Sequence, residues 1–101
     1  MSERVPHPAP SLVLQRHRER LSAAIAAQRN ADTRGVRHVI QRSDGAILSA
    51  GTMWWTYDIG EAYEANEQTW CPSGTQLVPV EVARGYIIKL MEVDLESLGG
   101  S

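Results

Sequence analysis

The chain of 101 residues has no phenylalanine, one cysteine and one lysine, and no apolar run near the roughly 20 residues that cross a bilayer. Without phenylalanine, aromatic packing falls to Trp54, Trp55, Trp70, Tyr57, Tyr63 and Tyr86. Cys71 alone excludes an intrachain disulfide and a thiolate metal cluster, and favours a reducing compartment. The opening Met1-Ser2-Glu3-Arg4-Val5-Pro6 lacks the apolar stretch of a signal peptide. These absences point to a soluble, cytoplasmic chain with no membrane partner. A chain of this length forms one domain that hides roughly 60–70% of its unfolded surface, so each large apolar residue weighs on the core.

What is present is divided by charge. Residues 1–43 carry eight arginines against three acids, a formal +5, and residues 44–101 carry two cations against nine acids, a formal −7. The net −2 conceals this dipole, which points to a charged partner or to assembly through opposite faces.

Pro6, Pro8 and Pro10 predict a flexible arm over 1–10, followed by one domain over 11–95 and a flexible tail over 96–101. Ser11 is a good N-cap for a helix from Leu12 to about Asn30. Leu14, His17, Leu21, Ala24, Ile25 and Gln28 line one face of it, and Arg16 and Arg20 lie opposite. Val36–Gln41 reads as a strand, and Asp44-Gly45 as the turn of a hairpin into Ala46–Ser49. A bend at Ala50-Gly51-Thr52 precedes Met53, Trp54 and Trp55.

Asp58 with Glu61 three residues on resembles a capping box, predicting a second helix ended by Pro72 and Gly74, with Ile59, Ala62, Tyr63, Asn66 and Trp70 on one face. Gln76–Val82 reads as a strand placed at a sheet edge by Pro79, and Tyr86–Val93 as a last strand buried on both faces. The expected class is α+β: a mainly antiparallel sheet of about four strands, in the chain order α-β-β-α-β-β, with helices packed on it.

Catalytic chemistry finds no constellation. His7, His17 and His38 lack the spacing of a zinc site. Cys71 falls at a predicted helix C-terminus, where the dipole disfavours a thiolate, and reads as a structural thiol. Asp58, Glu61, Glu64 and Glu67 are explained by capping and a solvated helix face. The glycines at 45, 51, 60, 74 and 85 are scattered rather than gathered in a phosphate loop. The reading is non-enzymatic, with no catalytic residue, no metal and no cofactor.

Three groups are candidates for partner contact. Neighbouring strand residues face opposite sides, so one of Trp54 and Trp55 enters the core while the other, beside Tyr57, is free to anchor an interface; alternatively helices cover both. Arg16, Arg18, Arg20, Arg37 and Arg42 form a basic set suited to phosphates or to an acidic partner. Glu61, Glu64 and Glu67, with Asp58, would form an acidic strip able to occupy a site meant for nucleic-acid phosphates.

Val39-Ile40-Gln41-Arg42-Ser43-Asp44-Gly45, then Trp55-Thr56-Tyr57-Asp58 with Ala62 and Ala65, then Leu77-Val78-Pro79-Val80-Glu81-Val82 together resemble small hairpin–helix–strand proteins of phages and other mobile elements. The resemblance covers about residues 36–82 and rests on fold-signalling residues. It implies an accessory role, inhibition of host defence of the anti-CRISPR kind being one that recurs among such proteins, and it carries over no functional residue.

The expected function is therefore a non-enzymatic binding protein that docks on a larger protein or a nucleoprotein complex, in the manner of a phage-encoded inhibitor. The alternative is a nucleic-acid-binding accessory protein using the arginine-rich helix and hairpin. A homo-oligomer joined through the opposite charged faces is a third arrangement.

Overall fold

The structure is a computed structural model that describes residues 10–99, so the proline arm read over 1–10 lies outside the described residues except for Pro10. Helix α1 spans Pro10–Asn30. It starts one residue before the serine expected to cap it. Proline suits a first helical position because its φ is already helical and it has no amide to leave unpaired. Along α1, burial deepens toward the C-terminus: Leu14 and His17 are exposed, Leu21 and Ala24 half-buried, Ile25 and Gln28 buried.

Four strands follow: β1 (His38–Arg42), β2 (Ile47–Leu48), β3 (Trp55–Thr56) and β4 (Thr75–Pro79). They form one antiparallel sheet in the order β3-β2-β1-β4. The expected hairpin joins β1 to β2. Gly45 N donates to Arg42 O at 2.9 Å and Arg42 N to Ala46 O at 2.8 Å, which makes Ser43-Asp44-Gly45 a three-residue loop. Gly45 takes the left-handed position with φ +95°, where a side chain would also collide with Leu90. Strand β4 lies at the sheet edge, with Pro79 as its last residue.

Helix α2 (Val80–Gly99) begins immediately after β4 and runs back over the sheet. Tyr86 Oη donates to Ser43 O at 2.8 Å, and Leu90 approaches Gly45, so the helix passes the β1–β2 turn at the opposite end of the strands from Pro79. Val80, Ala83 and Ile87, with Met91 packed beside them, meet Val39, Ile47 and Val78 of the sheet and Ile59 and Ala62 of the following loop. Helix α1 packs antiparallel against α2. The layout is a four-stranded antiparallel sheet with α2 packed on one face and α1 packed against α2, the expected α+β class.

The strand read over Gln76–Val82 ends at Pro79, where Val80–Val82 open α2, and two further elements differ in kind from expectation. The helix read from Asp58 reduces to one 3₁₀ turn, Ile59–Glu61. Asp58 does cap it, accepting from Gly60 N at 2.9 Å, but Ala62 is already extended. The amides that would continue the helix bond to the sheet instead: Tyr63 N to Leu48 O and Ala65 N to His38 O, each at 2.9 Å. Asn66 and Thr69 then close a local turn through Asn66 N to Thr69 Oγ1 at 2.9 Å and Gln68 N to Asn66 Oδ1 at 2.8 Å.

The strand read over Tyr86–Val93 is the middle of α2. The β-branched pair Ile87-Ile88 suggests a strand, yet Val80, Ala83, Ile87 and Met91 recur at helical spacing and all meet the sheet. Gly85, expected to turn the chain, is an ordinary helical residue here. The helix continues through Glu96–Gly99, positions read as part of a tail.

The end of α1 is held by side chains from elsewhere in the chain. Arg84 Nη1 donates to Gln28 O, Arg29 O and Ala31 O at 2.8, 2.9 and 3.2 Å. Buried Gln28 accepts from Ile59 N at 2.6 Å and donates to Asp58 Oδ1 at 3.2 Å. Arg34, at φ +56°, donates to Gly60 O at 3.1 Å and Ala62 O at 2.8 Å. Together they clamp the 3₁₀ turn against the helix end.

Candidate binding surface

Alternation along the strands assigns the two faces of the sheet. Val39, Ile47 and Val78 face α2, so Ile40, Arg42, Leu48, Trp55 and Leu77 face the other way. Ile40 is fully buried without belonging to the helix-side core. Its cover is the segment 62–74, which crosses this second face. The segment is tied at its start by the Ser49–Ala62 bridge, at its middle by Ala65 N to His38 O, and at its end by Ser43 N to Gly74 O at 3.3 Å.

Where this segment meets β2 and β3, it leaves an aromatic groove of about 340 Å³ lined by Leu48, Met53, Trp54, Trp55, Tyr63 and Trp70, with Thr69 and Pro72 at its border. Trp54 and Trp70 are 69% and 80% exposed. Trp55 and Tyr63 in the same lining are half-buried. None of the lining residues is ionisable at neutral pH.

The turn that presents Trp54 is closely specified. Ser49 N donates to Trp54 O at 2.7 Å, and Met53 N donates to Ser49 O at 2.9 Å. Buried Ser49 also accepts from Gly51 N and Thr52 N through its hydroxyl. Met53 adopts φ +53°, a conformation uncommon outside glycine, asparagine and aspartate. The expected bend at Ala50-Gly51-Thr52 is this turn, and it aims the Trp54 indole into solvent.

Beside the groove, the Arg42 guanidinium stacks on Trp55 with its carbon 5.0 Å from the ring centroid. The same guanidinium binds Asp44 in a fork, Nη2 to Oδ2 at 2.5 Å and Nε to Oδ1 at 3.1 Å. That contact, helped by the Ala46 amide, lowers the Asp44 carboxyl to about 2. Reciprocally, the Asp44 hydrogen bond raises Arg42 above its ordinary value. The arrangement holds the Arg42 guanidinium over the indole.

The predicted site residues do not gather at one place. Trp54 is the exposed member of the tryptophan pair, and Trp55 is covered on one side by Arg42 rather than by a helix. Tyr57 is exposed and lines a separate cleft with Leu21, Leu90 and Met91. Arg16 and Arg20 are exposed on α1, while Arg18 is half-buried with Nη2 3.5 Å from Leu98 O.

Arg37 lines a polar groove of about 510 Å³ with His38, Glu64, Glu67, Gln68 and Leu77. The acidic strip is not formed, because the helix that would align it is absent: Glu61 sits in the 3₁₀ turn, while Glu64 and Glu67 lie on the crossing segment. Cys71 is half-buried on that segment, its thiol 3.8 Å from Thr69 O.

Sequence reasoning missed Tyr63, Met53 and Trp70 as groove residues. Trp70 was hidden by the helix expected around it, which assigned it to a packed face. An available signal was its position just before Cys71-Pro72, where a chain leaves regular structure.

Among the described residues, no three histidine, cysteine, aspartate or glutamate side chains converge to hold a metal, and no helix is long and apolar enough to cross a membrane. Comparison with protein-family models, with curated proteins and with solved structures finds no match to this chain.

Proposed function

We propose that this chain is a non-enzymatic binding protein that docks on a larger protein through the aromatic groove. The observation that carries this reading is the pair of exposed indoles, Trp54 and Trp70, lining one groove together with the half-buried Trp55 and Tyr63. Tryptophan and tyrosine supply large contact area at small entropic cost and dominate binding hot spots. An uncharged aromatic lining suits an apolar or weakly polar protein segment. The inhibitor role implied by the phage-protein resemblance is one biological form of such docking.

The nucleic-acid reading draws less support from the geometry. Single-strand binders pair stacking aromatics with a cationic groove, and this groove carries no cation in its lining. Arg42 is engaged by Asp44, Arg29 by Glu92 at 2.7 Å, and Arg84 by the end of α1.

The test is affinity capture from the source cell's lysate, with and without nuclease, followed by mass spectrometry. Wild type, a Trp54→Ala/Trp70→Ala variant and an Arg16→Ala/Arg20→Ala variant are compared. A protein retained by wild type and by the arginine variant, insensitive to nuclease and lost with the tryptophan variant, is the expected result. Retention that depends on the arginines and vanishes with nuclease overturns it in favour of nucleic acid.

A further inference from the structure

The aromatic groove is unbalanced in its hydrogen bonding. Its lining holds the indole N–H groups of Trp54, Trp55 and Trp70 and the hydroxyl of Tyr63. Among the described residues, none of these side-chain donors has a hydrogen-bond partner in the fold. Trp55 and Tyr63 are half-buried, yet their polar atoms are not sealed from water.

The acceptors of the same lining are largely spent. Tyr63 N donates to Leu48 O at 2.9 Å, Ser49 N to Trp54 O at 2.7 Å and Thr75 N to Pro72 O at 3.0 Å. Thr69 Oγ1 accepts from Asn66 N at 2.9 Å. The groove also has no carboxylate and no cation in its lining. It therefore presents apolar ring faces and the positive ends of N–H and O–H dipoles.

This polarity selects among the ways a protein segment can dock. An extended β-segment brings amides that the groove has few acceptors to meet, and a covered donor without an acceptor loses its hydration for nothing. A helix has already spent its carbonyls internally, so it covers the indole N–H groups without giving them an acceptor. A proline-rich segment is the complement of the groove. Its amides carry a carbonyl and no hydrogen, and the polyproline II backbone leaves those carbonyls free of internal bonds.

Resting on the docking reading above, we infer that the partner segment taken by this groove is proline-rich and binds in the polyproline II conformation. Its pyrrolidine rings lie on the exposed Trp54 and Trp70 indoles, and its carbonyls accept from the indole N–H groups and the Tyr63 hydroxyl. Such a segment is stiff before it binds and loses little entropy on docking, which suits a groove of only about 340 Å³.

The experiment is an NMR titration of the isotope-labelled full chain, following its indole N–H signals, with two capped hexapeptides taken to about 5 mM. One is hexaproline; the other alternates alanine and serine. Hexaproline is expected to move the Trp54 and Trp70 signals saturably, and the alanine–serine peptide to leave them in place. Trp54→Phe and Trp70→Phe each keep a ring and delete the N–H. Each is expected to weaken hexaproline binding about three- to tenfold, the measure of one hydrogen bond. Circular dichroism verifies their folding, and Arg16→Ala should bind as wild type does.

No shift at the highest hexaproline concentration, equal shifts from both peptides, or phenylalanine variants that bind like wild type each overturn the inference. The docking reading fails separately, in the lysate capture. A captured protein that needs Trp54 and Trp70 but is not displaced by hexaproline overturns the proline chemistry alone.

Discussion

Arg84 on α2 closes the C-terminal end of α1 by donating from a single nitrogen to Gln28 O at 2.8 Å and, within 3.2 Å, to the carbonyls of Arg29 and Ala31. The last carbonyls of a helix have no partner within it and carry the negative end of its dipole. Glu81, with Oε1 2.9 Å from Arg84 Nε, orients the guanidinium from the preceding turn of α2. Only 15% of the Arg84 side chain is exposed, so these contacts are largely shielded from water.

Replacing Arg84 by methionine preserves its reach and removes the donors. The expected loss is about 2–3 kcal/mol, the range for charge-assisted hydrogen bonds in a shielded setting. Arg84→Lys should recover only part, because an ammonium cannot serve three carbonyls and Glu81 with the guanidinium's planar geometry. Urea denaturation followed by far-UV circular dichroism measures both; equal stability of wild type and Arg84→Met would remove the capping role.

Gln28 links the same helix end to the 3₁₀ turn. Gln28→Leu is close in volume and deletes the acceptor for Ile59 N, leaving a buried amide unpaired. A loss of about 1–3 kcal/mol is expected. Arg84 binds the main-chain carbonyl of Gln28, which leucine keeps, but both contacts hold the same helix end, so the Arg84→Met/Gln28→Leu double variant should lose less than the sum of the single losses. Strict additivity in that cycle would show the two clamps acting independently.

Gly85 sits within α2, exposed, and a Cβ added there meets nothing within 4 Å. Glycine costs a helix interior roughly 0.5–1 kcal/mol relative to alanine. Gly85→Ala should therefore raise stability by about that much and the melting temperature by several degrees. The opposite substitution pattern holds at Gly45, where alanine would strain a positive φ and strike Leu90.

The Asp44 carboxyl, held at about 2 by Arg42 and the Ala46 amide, lies below its unfolded value near 3.9. A depressed folded pKa contributes stability above the unfolded value, and that contribution is lost as pH falls from about 4 toward about 2. The Asp44 carboxyl signal in an NMR titration should show a midpoint near 2. Asp44→Asn should weaken the pH dependence of stability in that window and loosen Arg42 from Trp55, visible in tryptophan fluorescence. An Asp44 midpoint at the unfolded value would mean the fork is not populated in solution.

The elements legible in the sequence were those fixed by neighbours in the chain. Asp44-Gly45 announces its turn because the required φ belongs to glycine, and Asp58 caps the turn that follows it. Pro79 marks a strand edge because it has no hydrogen to give. What escaped was decided at long range. Tyr63 and Ala65 sit in a stretch rich in helix-forming residues, but their amides are taken by Leu48 and His38, and nothing local records that choice.

Helix α2 was hidden by Ile87-Ile88 and by Gly85, although Val80, Ala83, Ile87 and Met91 already carried its period. The groove was legible only in part. Trp54 and Trp55 stand out as neighbours, whereas Trp70 joins them only through the crossing of residues 62–74. The charge split is met within the fold only in part: Arg29 pairs with Glu92 and Arg42 with Asp44, while Arg16, Arg20 and Arg37 stay exposed.

No residue separates Pro79 of β4 from Val80 of α2. The phase of the helix is therefore geared to the register of the strand. A slip of β4 by one residue turns its side chains to the opposite face of the sheet. It also demands that α2 rotate by about 100° to restore Ala83, Ile87 and Met91 to the core. A deletion at this junction cannot be absorbed locally, whereas the long segment 62–74 leaves slack before β4. Evolution of this chain should accordingly tolerate length changes ahead of the last strand and none after it.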